Sequence, residues 1–258
     1  MKSSSNNLSI VIITKNEEEN IERCLKSAEW ADEIVVLDSG STDRTPQICR
    51  QYDCRFIEHE WHGFGRTKKY AVEQTRNNWI LSVDADEEIS QDLKETILQI
   101  IKNPKYNGYR INRRTFYLGK LINHCGWNRD YPLRLFNKQY GNFNTEIVHE
   151  SVEIEGEAGV IEEKLWHYNY PTIDSHIKKM NRYSALSARK KYEQGENVTI
   201  IGSFLKGAAK FFKMYLFQAG FLDGKKGLIL SINSAIGVYL KYIKLWKLTK
   251  SNNIYGKE

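Results

Sequence analysis

The chain reads Trp79-Ile80-Leu81-Ser82-Val83-Asp84-Ala85-Asp86-Glu87 where an apolar run meets a group of carboxylates. The apolar run predicts a buried strand, and side chains two residues apart in an extended segment point the same way. Asp84 and Asp86 are therefore predicted to converge at the end of that strand. Buried carboxylates need compensation, and a divalent cation carrying a diphosphate would supply it. An acidic turn without a ligand is the alternative interpretation.

Apolar runs alternate with helical patterns on both sides of this stretch. Strands are predicted over residues 8–14, 33–37, 54–58 and 79–83, and helices over 16–30, from near Pro46, over 67–76 and after the cap Ser90. The alternation implies an α/β fold, a mostly parallel sheet flanked by helices. Ligands of such sheets bind beyond the carboxyl ends of the strands. Thr14, Asn16, Glu17, Asp38 and Asp84 all fall at that edge.

Composition and motifs exclude several classes of protein. The 258 residues include 41% hydrophobic ones, enough for a folded core. Neither a dinucleotide G-x-G-x-x-G nor a P-loop follows the first strand, which argues against hydride transfer and NTP hydrolysis. The four cysteines lack metal-type spacing, and the apolar stretch near the N-terminus is too short for a signal peptide. We therefore expect a cytoplasmic protein with reduced thiols.

Three motifs follow one another in a recognisable order. They are Ser9-Ile10-Val11-Ile12-Ile13-Thr14-Lys15-Asn16-Glu17, then Glu33-Ile34-Val35-Val36-Leu37-Asp38-Ser39-Gly40-Ser41-Thr42-Asp43-Arg44-Thr45, then Asp84-Ala85-Asp86-Glu87. In this order and spacing they resemble the family 2 glycosyltransferases, which implies the GT-A (Rossmann-like) fold. The branch that contains the lipopolysaccharide core β-1,4-glucosyltransferases is similar at Pro132-Leu133-Arg134-Leu135-Phe136-Asn137-Lys138, at Val148-His149-Glu150 and at Gly220-Phe221-Leu222-Asp223-Gly224.

This resemblance implies an inverting transfer of a hexose, with glucose expected, from a UDP-sugar in the presence of Mg²⁺ or Mn²⁺. The metal ligands that it implies are Asp86 and His149. The donor-binding residues that it implies are Thr14, Asn16, Glu17, Asp38, Lys68, Asp84, Ala85 and Arg134. Structural alternatives are a helix cap for Asn16, a buried structural histidine for His149 and a strand-end salt bridge for Arg134. Lys69 stands where this branch usually has Asn, so either Lys68 or Lys69 could face the donor.

An inverting transfer needs one general base to deprotonate the acceptor hydroxyl. The candidates are Asp130, Glu146 and Glu150. We favour Glu150, because His149-Glu150 follows the Arg134 strand as the His-Glu pair of the branch does. A solvated surface acid is the alternative for each of the three.

The last third of the chain is basic and is predicted to be helical. Residues 164–258 hold 17 Lys and Arg against 5 Asp and Glu, whereas the rest hold 21 against 27. Lysines alternate with aromatic residues such as Phe211, Phe212, Tyr215 and Trp246, which is typical of helices at a membrane interface. The charge-free run 227–240 has 14 residues, fewer than the roughly 20 that cross a bilayer.

We therefore predict a GT-A catalytic domain over 1–163 and a basic helical region over 164–258 that contacts an anionic membrane surface. The expected acceptor is a lipopolysaccharide-core or other lipid-linked glycan at the inner face of a bacterial cytoplasmic membrane. Other acceptors (a capsular or exopolysaccharide intermediate, or a peptide) are alternatives, as is a helical region that packs on the catalytic domain. A catalytically inactive membrane-binding module is the non-enzyme alternative. No RNA-binding motif accompanies the basic charge, so nucleic acid is not an expected partner.

Overall fold

A computed structural model describes residues 7–145 and 150–255, with side chains up to residue 250. The chain forms two compact units. Unit 1 comprises Met1–Arg114 and Arg129–Asn169, and unit 2 comprises Thr115–Asn128 and Tyr170–Glu258. The predicted boundary after residue 163 falls inside a strand that continues to Tyr170, and the prediction did not include the segment Thr115–Asn128 in the second unit.

The strands and helices of the described residues follow in chain order. The strands are β1 Leu8–Thr14, β2 Glu33–Asp38, β3 Arg55–Glu58, β4 Trp79–Asp84, β5 Glu87–Ile89, β6 Gly108–Tyr117, β7 Lys120–Leu121, β8 Leu133–Asn137, β9 Gly141–Phe143, β10 Val152–Ile154 and β11 Gly159–Tyr170. The helices are α1 Ile21–Ala28, α2 Thr45–Cys49, α3 Phe64–Glu73, α4 Gln91–Lys102, α5 Ile173–Glu193, α6 Ile200–Phe212 and α7 Gly224–Tyr255, with a π-turn at Lys213–Phe217 and a 3-10 turn at Gly220–Asp223.

The main sheet has the strand order β3-β2-β1-β4-β8-β6-β11-β5. Its first four strands pair in parallel, as the alternation of strands and helices predicts. The pairs β4–β8, β6–β8 and β11–β5 are antiparallel, so the sheet as a whole is mixed. The short β7 pairs with the last residues of β6, and β9 and β10 form a separate antiparallel pair. The predicted α/β class, with helices flanking the sheet and a helical C-terminal region, is confirmed.

The core lies on both faces of the sheet, and β1 shows why. Ile10 and Ile12 lie in one apolar cluster with residues of α1 and α4, and Val11 lies in a second cluster with residues of α3. Alternate side chains of a strand point to opposite faces, so a strand covered on both sides must be apolar throughout. Each such side chain stabilises the fold by about 1.5–3 kcal/mol on burial. This packing fixes the carboxyl ends of β1, β2 and β4 side by side.

The first helix begins later than predicted. Asn16 has a left-handed backbone (φ 55°), and the Glu17 carbonyl accepts hydrogen bonds from the N–H groups of Asn20 and Ile21 in a turn. Asn20, and not Asn16, occupies the cap position of α1. The helix-cap alternative for Asn16 is therefore wrong, and the residues between β1 and α1 form a loop at the ligand-binding edge.

Unit 2 consists mainly of α5, α6 and α7, with α7 packed against both of the others. The buried Asp223 carboxylate accepts hydrogen bonds from the backbone N–H groups of Asn123 and His124, at 3.1 and 2.8 Å. These bonds attach the segment Thr115–Asn128 to the start of α7. The motif around Asp223 thus has a structural role within unit 2.

One helical segment of the described residues, Gly220–Lys250, is long and apolar enough to cross a membrane by length and composition alone. Core helices of soluble proteins can meet the same criteria. The predicted charge-free run 227–240 is the middle part of this segment, and lysines lie on both sides of it.

Candidate active site

Four predicted site residues meet at the carboxyl end of β4. Lys68 Nζ lies 2.8 Å from Asp84 Oδ1 and 3.2 Å from Glu150 Oε1. Arg134 Nη2 contacts the other oxygen of Asp84, Oδ2, at 2.5 Å. Lys68 belongs to α3 and Arg134 to β8, the strand beside β4. The sequence left open whether Lys68 or Lys69 faces this site. The buried lysine of this cluster is Lys68.

Glu87 is fully buried in the same cluster. Its Oε1 accepts hydrogen bonds from Arg134 Nη2 and Arg113 Nη1, both at 2.9 Å. Its Oε2 accepts one from the backbone N–H of Asp84, also at 2.9 Å. Arg113 continues the network to Asp130, with 2.7 Å between its Nη2 and Asp130 Oδ2. Glu87 therefore orients two arginines and the backbone at the end of β4.

Burial and ion pairing act in opposite directions on the charges of this cluster. Burial by itself would raise the pKa of the Asp84 carboxyl, but Arg134 and Lys68 outweigh it and hold that pKa well below its usual value. Burial would lower the pKa of Arg134, but Asp84 and Glu87 raise it above its usual value. Asp84 is therefore an anion and Arg134 a cation at neutral pH.

Glu87→Gln is expected to destabilise the protein by about 3–5 kcal/mol, the usual cost of breaking a buried ion pair. The substitution leaves the guanidinium groups of Arg134 and Arg113 short of one anion in a site that excludes water. The measurement is the free energy of unfolding in urea. The matched control is Glu88→Gln on the same strand, whose carboxylate is partly exposed and should cost no more than about 1 kcal/mol. Equal losses in the two variants would contradict the role of Glu87.

Asp84 and Asp86 have different side-chain partners. β4 ends at Asp84, and Ala85 and Asp86 form a turn before β5, so the extended geometry behind the prediction ends too early. Asp86 Oδ2 lies 3.4 Å from Nε2 of His167 on β11, and the Asp86 carbonyl accepts a hydrogen bond from the Tyr168 N–H. The methyl group of Ala85 is buried in the core, which leaves its backbone as the part able to bind a donor.

The Asp86–His167 pair has the chemistry of a partial cation site. Carboxylate and imidazole groups are both accepted by ions such as Mn²⁺. Among residues 7–145 and 150–255, no group of three or more His, Cys, Asp or Glu side chains could hold a metal ion. These residues therefore fit a cation whose other ligands come from a diphosphate or water, as hard cations permit. His149, the second predicted ligand, and Glu146, an alternative base, lie outside the described residues.

Asn16 and Glu17 join two loops at the ends of β1 and β2. Asn16 Oδ1 accepts a hydrogen bond from the Thr42 N–H at 2.7 Å. The Glu17 N–H donates to Thr45 Oγ1 at 2.9 Å. Bonds to the loop after β2 thus hold two of the residues that the resemblance assigns to the donor.

Asp38 closes the turn at the end of β2. Its Oδ2 accepts hydrogen bonds from the N–H groups of Gly40 and Ser41, at 3.0 and 2.8 Å. Thr14 lies opposite Asp38 in the parallel register, and its buried hydroxyl has no hydrogen-bond partner among the described residues. A buried polar group without a partner costs about 1–3 kcal/mol, which a polar ligand at this edge would offset.

Glu87, Arg113 and His167 are site residues that the sequence analysis did not assign. Glu87 could have been found, because it is the last residue of the acidic motif. Arg113 and His167 lie on β6 and β11, where no local pattern marks them. Only the antiparallel pairing of β11 with β5, which sets His167 opposite Glu87, brings that histidine to the turn of Asp86.

Residues 9–168 match the model of the family described as glycosyl transferase family 2. The chain is 29% identical over 248 residues to a lipopolysaccharide core biosynthesis glycosyltransferase, LpsC, of Rhizobium meliloti, a match that covers 93% of this chain and 92% of the relative. It is 30% identical over 263 residues to an uncharacterized glycosyltransferase of Rickettsia bellii, covering 95% and 88% of the two chains. The crystal structure of S. aureus TarS 1-349 in complex with UDP-GlcNAc is similar at a TM-score of 0.48 and 14% identity, over 97% of this chain and 92% of TarS 1-349.

The parallel strands, the carboxylates at their ends and the match over residues 9–168 together define a glycosyltransferase, and the chain belongs to glycosyl transferase family 2. It is related along most of its length to a glycosyltransferase of lipopolysaccharide core biosynthesis. The family predicted from the three motifs is therefore confirmed.

Proposed function

We propose that this enzyme transfers a hexose, glucose, from a UDP-sugar to a lipopolysaccharide-core or other lipid-linked glycan with inversion at the anomeric carbon. The transfer takes place at the inner face of the bacterial cytoplasmic membrane. The named relative of Rhizobium meliloti supports the class of acceptor.

The observation that carries the proposal is the contact of one buried lysine with two carboxylates. Lys68 Nζ reaches both Asp84, at the end of β4, and Glu150, the proposed base. A lysine ammonium binds phosphate oxygens as a point charge, so Lys68 can also meet a diphosphate at this edge. This contact supports a site in which Lys68 binds the diphosphate leaving group next to Glu150, the proposed base.

In the proposed reaction an acceptor hydroxyl oxygen attacks the anomeric carbon while the bond from that carbon to the diphosphate oxygen breaks. Glu150 takes the hydroxyl proton, which typically contributes about 10²–10⁴-fold to the rate. UDP leaves with the new negative charge on its β-phosphate, and Lys68 stabilises that charge. A Mg²⁺ or Mn²⁺ ion bound by Asp86, with His149 or His167, would supply Lewis-acid stabilisation of the same diphosphate.

The contacts of Asp130 support Glu150 as the base. Arg113 holds Asp130 Oδ2 through both Nε and Nη2, at 2.7 Å each. A guanidinium presents its donors in a rigid fork, so Arg113 fixes the Asp130 carboxylate in place. Glu150 contacts Lys68, and a diphosphate can compete for that lysine.

A donor screen tests the proposed function. We expect the purified chain with saturating Mn²⁺ to release UDP from UDP-glucose faster than from other UDP-hexoses, and a chelator to stop the release. Added lipid-linked core glycan should accelerate release and gain one hexose by mass spectrometry. If none of the donors releases nucleotide, the proposal is contradicted and a binding module is favoured. Faster release from another hexose donor would change the sugar assigned.

A further inference from the structure

The helices of unit 2 pack with their small residues inside. The buried residues of α6 are Ser203 and Gly207. A Cβ atom on Gly207 would lie 3.1 Å from both the Ala235 carbonyl oxygen and the Tyr239 Cβ of α7, so the two helices approach closely at this point. Close approach through small residues is the way helices pack in lipid, whereas a helix in water buries its large apolar residues.

The large apolar side chains of α6 and of the turns after it are exposed instead. They are Ile201, Phe204, Leu205, Phe212, Phe217 and Leu222, with exposed fractions between 51% and 86%. We call these residues the apolar face. Exposed apolar residues in such number along one stretch of chain are typical of an interaction site.

The charge around the apolar face is almost entirely positive. Residues 197–250 contain nine lysines, no arginine and one acid, Asp223. Asp223 is buried and accepts hydrogen bonds from two backbone N–H groups. The lysines of α6 avoid the apolar face: Lys206 Nζ lies 4.7 Å from the centre of the Tyr242 ring of α7. A helix with one apolar face and lysines elsewhere is suited to the plane of a membrane interface.

We propose that the apolar face inserts into the boundary between headgroups and acyl chains of an anionic bilayer leaflet, with α6 lying in the membrane plane. This inference deepens the proposed function by naming the surface through which the enzyme reaches its lipid-linked acceptor. The sequence analysis named Phe211, Phe212, Tyr215 and Trp246 as aromatic residues typical of a membrane interface. Phe211, Tyr215 and Trp246 are only partly exposed, so of these four only Phe212 belongs to the apolar face.

Two alternatives to this proposal fit the observations less well: a second copy of the chain on the apolar face, and an α7 that spans the membrane. A second copy of this chain would bring two sets of nine lysines together with one buried acid in each. A membrane-spanning α7 would place Lys225, Lys226, Lys241 and Lys244 at the ends of a 14-residue charge-free run. At 1.5 Å per residue that run covers about 21 Å, short of the hydrocarbon core of about 30 Å.

The test measures vesicle binding by the full chain and by single charge insertions. Phe204→Lys and Phe217→Lys place a charge on the apolar face. Val160→Lys is the matched control, because Val160 is an apolar residue of unit 1 that is 58% exposed, against 65% for Phe204. Vesicles of phosphatidylcholine with phosphatidylglycerol are spun down at about 0.1 M and about 1 M KCl, where the Debye length falls from about 10 to about 3 Å. Circular dichroism and thermal melting verify that each variant is folded.

We expect the unmodified chain to bind these vesicles, and to bind them more weakly but measurably at high salt. Phe204→Lys and Phe217→Lys should each lower the salt-resistant binding at least tenfold, and Val160→Lys should leave it unchanged. Complete release of the unmodified chain at high salt, or unchanged binding of both face variants, would overturn the proposal. The proposal would also be overturned by a dimer in solution that the same two substitutions dissociate, since a second copy would then cover the apolar face.

A labelling experiment gives a second readout that does not depend on a charged residue. Phe217→Cys and the control Val160→Cys, each in a Cys54→Ser chain, carry an environment-sensitive fluorophore. The other three cysteines are buried and should not be labelled. Emission should shift to the blue on vesicles for position 217 only, and equal shifts or none would overturn the proposal. Both tests use binding alone, so a vesicle-bound chain that transfers no hexose would defeat the proposed function and leave this inference intact.

Discussion

Asp86→Ala is expected to abolish hexose transfer and metal-dependent UDP binding while the protein stays folded. Asp86 lies in the turn after β4, and its carboxylate is the protein oxygen that we propose for the cation beside the diphosphate. Its carboxylate lies 3.4 Å from Nε2 of His167, whereas Glu87, Lys68 and Arg134 hold the network around Asp84. The measurements are turnover with saturating Mn²⁺ and the affinity for UDP by calorimetry, with and without Mn²⁺.

Asp92→Ala is the matched control, because Asp92 is an exposed acid in the first turn of α4. It should leave turnover and UDP affinity unchanged. If Asp86→Ala keeps more than about a tenth of the turnover, the lost stabilisation is under about 1.4 kcal/mol and the metal role is excluded. His167→Ala should weaken the Mn²⁺ dependence in the same assay if imidazole is a further ligand.

Glu150→Gln is expected to lower turnover about a hundredfold or more, the usual scale for loss of a general base, with little change in donor affinity. The amide keeps the shape of the side chain and an oxygen that can still accept the hydrogen bond from Lys68. It removes the capacity to take a proton from the acceptor hydroxyl. Single-turnover transfer at saturating donor separates this chemical step from product release.

Glu153→Gln provides the control for this substitution, since Glu153 lies on β10 nearby in sequence and is exposed. It should behave as the unmodified enzyme. If Glu150→Gln is nearly as active as the unmodified enzyme and Asp130→Asn or Glu146→Gln is inactive, the base is that residue instead. A large loss of UDP affinity in Glu150→Gln would instead indicate that Glu150 acts by holding Lys68.

The sequence predicted the parallel half of the sheet well, because its signals are local. Apolar runs of strand length with turn residues after them appear in the chain as written, and β1 and β4 start where predicted. The start of α1 was predicted too early because the acidic residues after Asn16 suit a first helical turn, and the left-handed backbone of Asn16 is invisible in the sequence. The antiparallel half was not predicted, because strands such as β8 and β11 find their partners across long stretches of chain.

The structure brings several of the predicted site residues together and adds contacts that the sequence did not indicate. Lys68, Asp84, Arg134 and Glu150 were named from motifs, and the structure brings them into direct contact. The spacing of Asp84 and Asp86 suggested a shared point, but spacing implies a common direction only while the backbone stays extended. The turn at Ala85 breaks that condition, and the two carboxylates have different partners.

Motifs and hydrophobic periodicity, which are properties of neighbouring residues, were enough to predict the family and the α/β class, and they also indicated the edge of the sheet at which we propose the chemistry. The tertiary structure alone decided that Glu87 is buried between two arginines and that His167 reaches Asp86. It also decided that the large apolar residues of α6 face outward. These features depend on burial, and burial is set by what other segments cover: β11 crosses to β5, and α7 covers the small residues of α6 and leaves its large ones exposed.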